Sequence, residues 1–354
     1  MSIEFARPAS MSMKGSLPRF FSPSVAAVSL AVGVWTAFSL ATESGPALLA
    51  GALAAAVGYV FVTVLVSRVV EGKRKATDRL VTNLVTGAFI LALVPLISLV
   101  FTVLTLGSKR FDIEFFTYSM RNILGEGGGA IHAIVGTLEI TLLATLFSVP
   151  IGIMTAIYLI EYGRGKLARA VTFLVDVMTG IPSIVAGLFA YAVFALIFGP
   201  GVRMGIAGSV ALSVLMIPVV IRSTEEMLKI VPNELREAAL ALGVPKWLTV
   251  VKVVLPTAIG GIVTGVMIAI ARVIGETAPL LLVAGFTSSM NYDPTDGRMM
   301  TLPVFVYTSY ANVGTDFQAY IDRAWAGALT LMLIVMILNL GARLVSKIFA
   351  PKKG

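Results

Sequence analysis

The chain has 354 residues, of which 57% are hydrophobic and only 13% are charged, and its mean hydropathy is +0.94. Soluble domains carry about a quarter charged residues, so this composition excludes a soluble protein and indicates an integral membrane protein. The lack of cysteine and the presence of a single histidine, His132, exclude disulfides and metal clusters built on Cys or His.

Eight apolar runs are long enough to span a bilayer, which takes about 17 or more such residues. In chain order they are Ser24–Ala41, Ala47–Ser67, Leu80–Leu106, Ile131–Ile160, Val171–Phe198, Gly205–Ile221, Thr257–Phe286 and Ala324–Val345. A long tail precedes the first run, and TESGP and a second apolar run follow it at once, so we predict a hairpin rather than a signal peptide. The predicted fold class is an all-α polytopic membrane protein.

The basic link EGKRKATDR, Glu71–Arg79, is the predicted boundary between two parts. Residues 1–79 would hold a cytoplasmic tail and an extra two-helix hairpin, and residues 80–354 would form a six-span core. With the N-terminus inside, 20 of the 27 Lys and Arg residues fall in cytoplasmic segments, 6 fall in outer loops, and Arg272 lies within a span. This bias predicts that both termini are cytoplasmic, and it accounts for the net charge of +8 without a nucleic-acid partner.

Prolines and outer loops interrupt the predicted core. A proline removes a backbone donor and kinks a helix, which polytopic bundles tolerate; such kinks also permit alternating access. Five of the six core spans contain one: Pro95, Pro150, Pro182, Pro218 and Pro279. The outer loop Thr287–Arg323 includes TLPVFVYTSYANV, which is too short to span and predicts a re-entrant or interfacial helix.

The chain has no Gly-Lys-Ser/Thr phosphate loop after any glycine run, so it lacks a Walker A motif. ATP and its Mg²⁺ would therefore be bound by another polypeptide, and no cofactor is expected in this chain. Nothing in the sequence assembles a nucleophile, a base and a metal, which ranks a membrane enzyme last among the possible functions.

The predicted cytoplasmic loop 222–256 has the local preferences of a helix, a turn and a second helix. Asn233 can cap a short helix, Gly243 suits the left-handed turn that ends it, and Pro245 suits the start of the next helix, with Pro256 beginning a further element. The apolar face of the first helix would hold Leu235, Ala238, Ala239 and Leu242. This surface of small residues fits another protein's groove, and a hairpin lying on the membrane is the alternative.

Two opposite charges lie inside the seventh predicted span, in ARVIGETAPLLL. Arg272 and Glu276 are four residues apart, so they would share one helix face. An intramembrane arginine costs several kcal/mol, which favours a functional role, and its planar fork matches a tetrahedral oxyanion. Glu276 would hold that fork and keep the empty site near neutral. The alternative is a self-satisfied pair that only locks packing.

Four further charged or titratable residues receive predictions. Arg222 would end the sixth span, either as a positive-inside anchor or in the substrate pathway. Glu139 and Asp176 can each pair with a partner's arginine, although Asp176 is expected to be hydrated near the inner interface. His132 is expected to be a solvated residue at the outer interface.

Four blocks of the sequence resemble the PstA-type permease subunits of phosphate ABC importers, over about the last 275 residues. They are GIPSIVAGLFAY (180–191), IPVVIRSTEEMLKIVPNELREAALALG (217–243), LPTAIGGIVTGVMIAIARVIGETAPLLLVAG (255–285) and TLPVFVYTSYANV (301–313). A second resemblance is to the ATPase coupling loop of ABC permeases. It rests on the order Glu-Ala-Ala, three residues, Gly243, nine residues, Val253, one residue and Leu255-Pro256. Val253 lies where Ile is more usual in that family. The sequence ETAPLL favours PstA over its sister permease PstC, and the first hairpin is extra to the family pattern.

The resemblance implies a six-span ABC importer permease core in a bacterial cytoplasmic membrane. Its expected partners are a PstC-type permease, an ATPase dimer, an extracytoplasmic phosphate-binding protein, inorganic phosphate and membrane lipid. By motif position, the residues that would couple to the ATPase are Glu237, Ala238, Ala239, Gly243, Leu255 and Pro256. Arg272 and Glu276, with Arg222 as a further candidate, would line the substrate pathway.

Two other transport functions remain open from the sequence. A permease for another oxyanion, such as molybdate or sulfate, would have the same coupling loop. A secondary anion transporter or channel would account for the intramembrane charges but leaves the coupling loop without a purpose.

Overall fold

The computed structural model describes residues 16–39, 46–314 and 316–349. All long elements in these residues are helices, and no strand occurs among them. The α-helices are α1 Phe21–Ser39, α2 Pro46–Val70, α3 Lys73–Gly107, α4 Ile113–Thr117, α5 Ile131–Ile157, α6 Gly165–Thr179, α7 Ser183–Phe198, α8 Gly205–Ile230, α9 Asn233–Ala241, α10 Lys246–Thr249, α11 Leu255–Val273, α12 Ala278–Val283, α13 Leu302–Ala311 and α14 Phe317–Phe349. Seven helical segments are long and apolar enough to cross a membrane, and a bent pair can form an eighth span, which confirms the predicted fold class.

The chain divides into two compact units, one ending at Val100 and the other beginning at Phe101. The first unit holds α1, α2 and most of α3. The predicted boundary after residue 79 falls inside α3, so it stays a prediction. The end of the first predicted span, residues 40 and 41, lies outside the described residues.

The predicted link Glu71–Arg79 is largely helical, because α3 already begins at Lys73 and only a tight turn separates it from α2. Glu71 holds this turn together. Its carboxylate accepts hydrogen bonds from Arg79 Nε at 2.9 Å and Ser67 Oγ at 2.8 Å. The hydrogen bond from Arg79 is the main reason that the pKa of Glu71 falls from 4.5 to about 2.

In the second unit, α5 and α8 pack along each other, and α11 and α14 complete the core. Its centre is apolar and buried, with Ile140, Leu212 and Met216 among its largest side chains. The core therefore rests on small and branched side chains at helix crossings, as polytopic bundles do.

The short helix α13 confirms that TLPVFVYTSYANV folds as a helix too short to span. Its first turn is buried, and the Leu302 amide donates to Thr137 Oγ1 of α5 at 2.7 Å. Phe305 of α13 lies edge-on to the His132 ring, with ring centroids 5.7 Å apart. The prediction of a solvated His132 is wrong, because its side chain is buried against Phe305 and its other neighbours and is only 1% exposed.

Two of the predicted continuous spans are broken. The fifth, Val171–Phe198, consists of α6 and α7, which meet at 111°. Pro182 explains this break, since a proline disfavours helix at the residue before it. The seventh, Thr257–Phe286, breaks after Val273, and Pro279 lies in the first turn of α12. The other three core prolines lie inside continuous helices.

The sixth predicted span, Gly205–Ile221, lies within a longer helix, because α8 continues past Ile221 to Ile230. The added two turns remain amphipathic and bury Thr224, Glu225 and Leu228, which keeps them helical. The predicted loop 222–256 therefore shrinks to residues 231–256, which we call the elbow.

Candidate translocation cavity and coupling elbow

A cavity of about 230 Å³ lies where the two helix breaks meet the proline of α8. The α6–α7 bend forms one wall, Pro218 forms another, and the α11–α12 break forms a third. The lining residues are Met178, Thr179, Ile181, Pro182, Ser183, Leu215, Pro218, Val219, Arg272 and Glu276. No cluster of acidic, His or Cys side chains suited to a metal occurs anywhere in the described part of the chain.

The two breaks lie side by side because Gly187 lets α7 approach α12. A Cβ atom at Gly187 would lie 2.7 Å from Cα of Pro279, closer than any side chain tolerates. The second turn of α7 is therefore held next to the first turn of α12. Unwound backbone at membrane depth is tolerated where it lines a cavity of this kind.

Arg272 and Glu276 both line the cavity, but they do not share a helix face. Arg272 is exposed in the last turn of α11, whereas Glu276 follows the end of that helix and is half-buried. The predicted one-face arrangement is wrong because the helix ends at Val273, whose carbonyl accepts the Glu276 amide at 3.1 Å. Among the described residues, neither side chain has an ion-pair partner within 4.0 Å.

Arg222 lies outside the cavity lining and is engaged elsewhere. Its guanidinium pairs with Glu225 Oε2 at 2.7 Å and with the Asp176 carboxylate of α6. Asp176 is exposed, as expected for a hydrated acid, and it pairs with an arginine of its own chain. Arg222 thereby fastens α6 to α8 instead of ending a span.

The elbow has the predicted order of helix, glycine turn and helix. Gly243 has φ +78 and donates to the Leu240 carbonyl at 3.0 Å, while the Val244 amide donates to the Ala239 carbonyl at 3.1 Å. These two bonds form a Schellman motif, which confirms that Gly243 makes the left-handed turn that ends the helix. Asn233 is not the cap, because it is already the first residue of α9 and its side chain accepts from Arg236 Nη1 at 3.2 Å.

The second half of the elbow runs into α11 without a stop. Pro245 precedes α10, and a π-turn at Val250–Val254 joins α10 to α11. Pro256 lies in the first turn of α11 and has no amide hydrogen, and the Thr257 hydroxyl donates to the Val253 carbonyl at 2.6 Å. Pro256 therefore marks the change from π to α geometry within a continuous helical segment.

The predicted coupling residues differ in exposure. Glu237, Ala238, Gly243 and Pro256 are exposed, Leu255 is half-buried, and Ala239 is buried within the elbow. Large apolar side chains stand beside the exposed ones: Leu240 is 48% exposed, Leu242 84% and Trp247 61%. The elbow therefore presents an apolar patch that the rest of the described chain leaves uncovered, which is typical of an interaction surface.

One interaction of the elbow is absent from the sequence interpretation. Arg236 Nε donates to Glu161 Oε1 at 3.0 Å, and the two side chains are only 16% and 7% exposed. Glu161 lies in a π-turn, Tyr158–Tyr162, that follows α5. Because the partners are 75 residues apart, no local pattern predicts this contact. The one feature of the sequence that singles out Arg236 is its position directly before the Glu-Ala-Ala of the coupling motif.

Comparison with known proteins identifies the family of the chain. Residues 148–354 match the family described as binding-protein-dependent transport system inner membrane component. The phosphate transport system permease protein PstA of Mycobacterium leprae is 44% identical over 79% of this chain and 91% of its own length. The corresponding PstA of Pasteurella multocida is 40% identical over 79% of this chain and 96% of its own length.

Solved structures share the fold. The inward-facing MetNI methionine ABC transporter aligns at a TM-score of 0.51 and 21% identity, over 62% of this chain and 96% of that one. A bacterial alginate ABC transporter aligns at a TM-score of 0.55 and 16% identity, over 78% of this chain and 97% of that one. The chain belongs to the inner membrane components of binding-protein-dependent ABC importers, in the group of permeases named PstA.

Proposed function

We propose that this chain forms one half of the translocation pathway of an ATP-driven importer of inorganic phosphate. The relatives named phosphate transport permeases support the substrate, since they are 40–44% identical over more than three quarters of the chain. A second, PstC-type permease would supply the other half of the pathway.

The observation that carries the proposal is Arg272, a guanidinium at the wall of a cavity with no ion-pair partner among the described residues. A phosphate ion offers paired oxygen acceptors that match the guanidinium fork. Glu276, on the same wall, lowers the positive potential of the empty cavity. A site with both charges binds an anion strongly enough to admit it and weakly enough to release it.

The elbow would seat one subunit of an ATPase dimer on the cytoplasmic side. That dimer would bind ATP and Mg²⁺, and this chain would bind neither. An extracytoplasmic phosphate-binding protein would deliver the ion to the outer face. The excess of Lys and Arg in the inner segments supports this orientation in the cytoplasmic membrane, with both termini inside.

In the proposed cycle, closure of the ATPase dimer displaces the elbow and switches the permease pair between inward-open and outward-open states. ATP shifts this equilibrium only because it binds the two states with different affinity. The helix breaks beside the cavity and Pro218 in α8 are the points at which the walls can change direction. Phosphate then passes Arg272 and leaves to the cytoplasm.

Uptake by vesicles that contain the purified complex tests the proposal. We expect ATP-dependent phosphate accumulation that needs the ATPase and the binding protein and that excess sulfate or molybdate does not suppress. Accumulation without ATPase would identify a secondary transporter or channel. Suppression by sulfate or molybdate at equal concentration would assign the pathway to a different oxyanion.

A further inference from the structure

Arg236 binds three parts of the protein at once. Besides Glu161, it donates to the Leu228 carbonyl at 2.8 Å and the Val231 carbonyl at 2.6 Å, at the end of α8. It also donates to Asn233 Oδ1 in the first turn of α9. The guanidinium thus caps α8, holds α9 and reaches the cytoplasmic end of α5.

Glu161 receives a second contact from the other half of the elbow. Lys246, the first residue of α10, donates from Nζ to the Glu161 carbonyl and lies 5.0 Å from the ring centroid of Tyr162. Both helices of the elbow therefore contact one π-turn. π-turns interrupt the regular ladder of a helix and frequently occur at functional sites.

The covalent chain connects the elbow to α8 and α11 but not to α5. Helix α5 packs along α8, and its outer part accepts a hydrogen bond at Thr137 from the first turn of α13. A displacement of the elbow reaches α8 and α11 through the backbone. It reaches the end of α5 through the buried apolar cluster that Val231 and Val254 share with that end, and through the polar contacts of Arg236 and Lys246 with residues 161 and 162.

We propose that the Glu161–Arg236 ion pair is a positioning contact that makes α5 move with the elbow when the ATPase closes. The inference rests on the proposed function, because it assigns a route by which ATP hydrolysis is coupled to transport. The pair stays closed throughout the cycle, since opening it would leave two desolvated charges unpaired. Arg236 acts through α5: its side chain is only 16% exposed and does not line the cavity.

The variant Glu161→Gln isolates the ion pair, because the side chain keeps its size and Arg236 keeps its carbonyl contacts. Glu226→Gln is the matched control, since Glu226 is an exposed acid of α8 without an ion pair among the described residues. Both are measured as full complexes in vesicles, with phosphate uptake and ATP hydrolysis followed together. We expect Glu161→Gln to keep its ATPase and its hydrolysis while phosphate moved per ATP falls about tenfold.

A cysteine pair separates positioning from folding, because the chain contains no other cysteine. In the double variant Glu161→Cys, Arg236→Cys, joining the two thiols with a short bifunctional reagent should restore most of the phosphate moved per ATP. Unchanged coupling in Glu161→Gln, or a joined protein that stays uncoupled, would overturn the inference. A wild-type complex that hydrolyses ATP without importing phosphate would instead overturn the proposed function.

Discussion

The cavity and the elbow each contain an arginine and a glutamate, and they use them in opposite ways. In the elbow, Arg236 is nearly buried, makes four hydrogen bonds and pairs with Glu161. In the cavity, Arg272 is exposed and has no ion-pair partner among the described residues. The satisfied arginine holds elements together, whereas we propose that the unpaired one at the cavity wall is available to an anion.

Replacement of Arg272 should have the largest effect. Arg272→Gln removes the fork that would bind phosphate, and charge-assisted hydrogen bonds are each worth about 1.5–3 kcal/mol. We expect ATP-dependent phosphate uptake to fall about 100-fold while the complex still assembles. Uptake and co-purification are measured together, with Arg272→Lys as the variant that keeps the charge but loses the fork. Normal uptake by Arg272→Gln would remove this residue from the pathway.

A charge on the exposed surface of the elbow should have the next largest effect. Ala238→Asp places an unpaired carboxylate in the expected ATPase interface, and such a buried charge costs about 3–5 kcal/mol. We expect the ATPase to be lost on co-purification while the permease keeps its thermal stability. Ala239→Asp is the comparison, because Ala239 is buried within the elbow and its replacement should also lower the stability of the permease. Retention of the ATPase by Ala238→Asp would contradict docking at this face.

Arg222 should behave as a structural arginine and show a smaller effect. Its pair with the exposed Asp176 fastens α6 to α8 and contributes at most about 1 kcal/mol, whereas loss of the pair with the buried Glu225 would lower the stability of the permease by about 3–5 kcal/mol without changing the cavity lining. We expect Arg222→Gln to lower phosphate uptake by no more than about fivefold and to leave the apparent affinity for phosphate unchanged. An effect as large as that of Arg272→Gln would return Arg222 to the substrate pathway.

The smallest effect on phosphate uptake is expected from the satisfied pair of the first unit, Glu71 and Arg79, which contributes to the stability of the fold. The pKa of Glu71 is about 2 in the folded protein and 4.5 without its partners, so the pair stabilises the fold above pH 4.5. That contribution is lost as the pH falls from 4.5 towards 2, when Glu71 becomes protonated. Thermal unfolding of wild type and Glu71→Gln should therefore converge over this interval. A difference in melting temperature that is independent of pH would contradict the pairing.

Local patterns predicted much of the fold and the turn chemistry of the elbow. Hydropathy identified the long helices, and Gly243 was predicted because a left-handed turn after a helix favours glycine. The break in the fifth span was not predicted, although Pro182 marked a kink, because composition does not distinguish a bent pair from one span. The end of α11 at Val273 was missed for the same reason, so Arg272 and Glu276 were placed on one helix face.

Contacts between distant residues could not be predicted from the sequence. The pairing of Arg236 with Glu161, the packing of His132 against Phe305 and the pairing of Arg222 with Asp176 all join separate elements. Each depends on how helices pack, and hydrophobic periodicity carries no information about which polar side chains then meet. Sequence reasoning therefore identified the charged residues but not which of them were already satisfied.

Labelling of a cysteine at position 272 tests most directly whether the cavity arginine contacts the transported anion. The chain has no cysteine, so Arg272→Cys carries the only thiol of this subunit. The account predicts that Arg272→Cys loses most of its uptake, and that attaching a positively charged thiol reagent restores part of it, whereas a neutral reagent of similar size does not. No recovery on restoring the charge, or equal recovery with the neutral reagent, would contradict it.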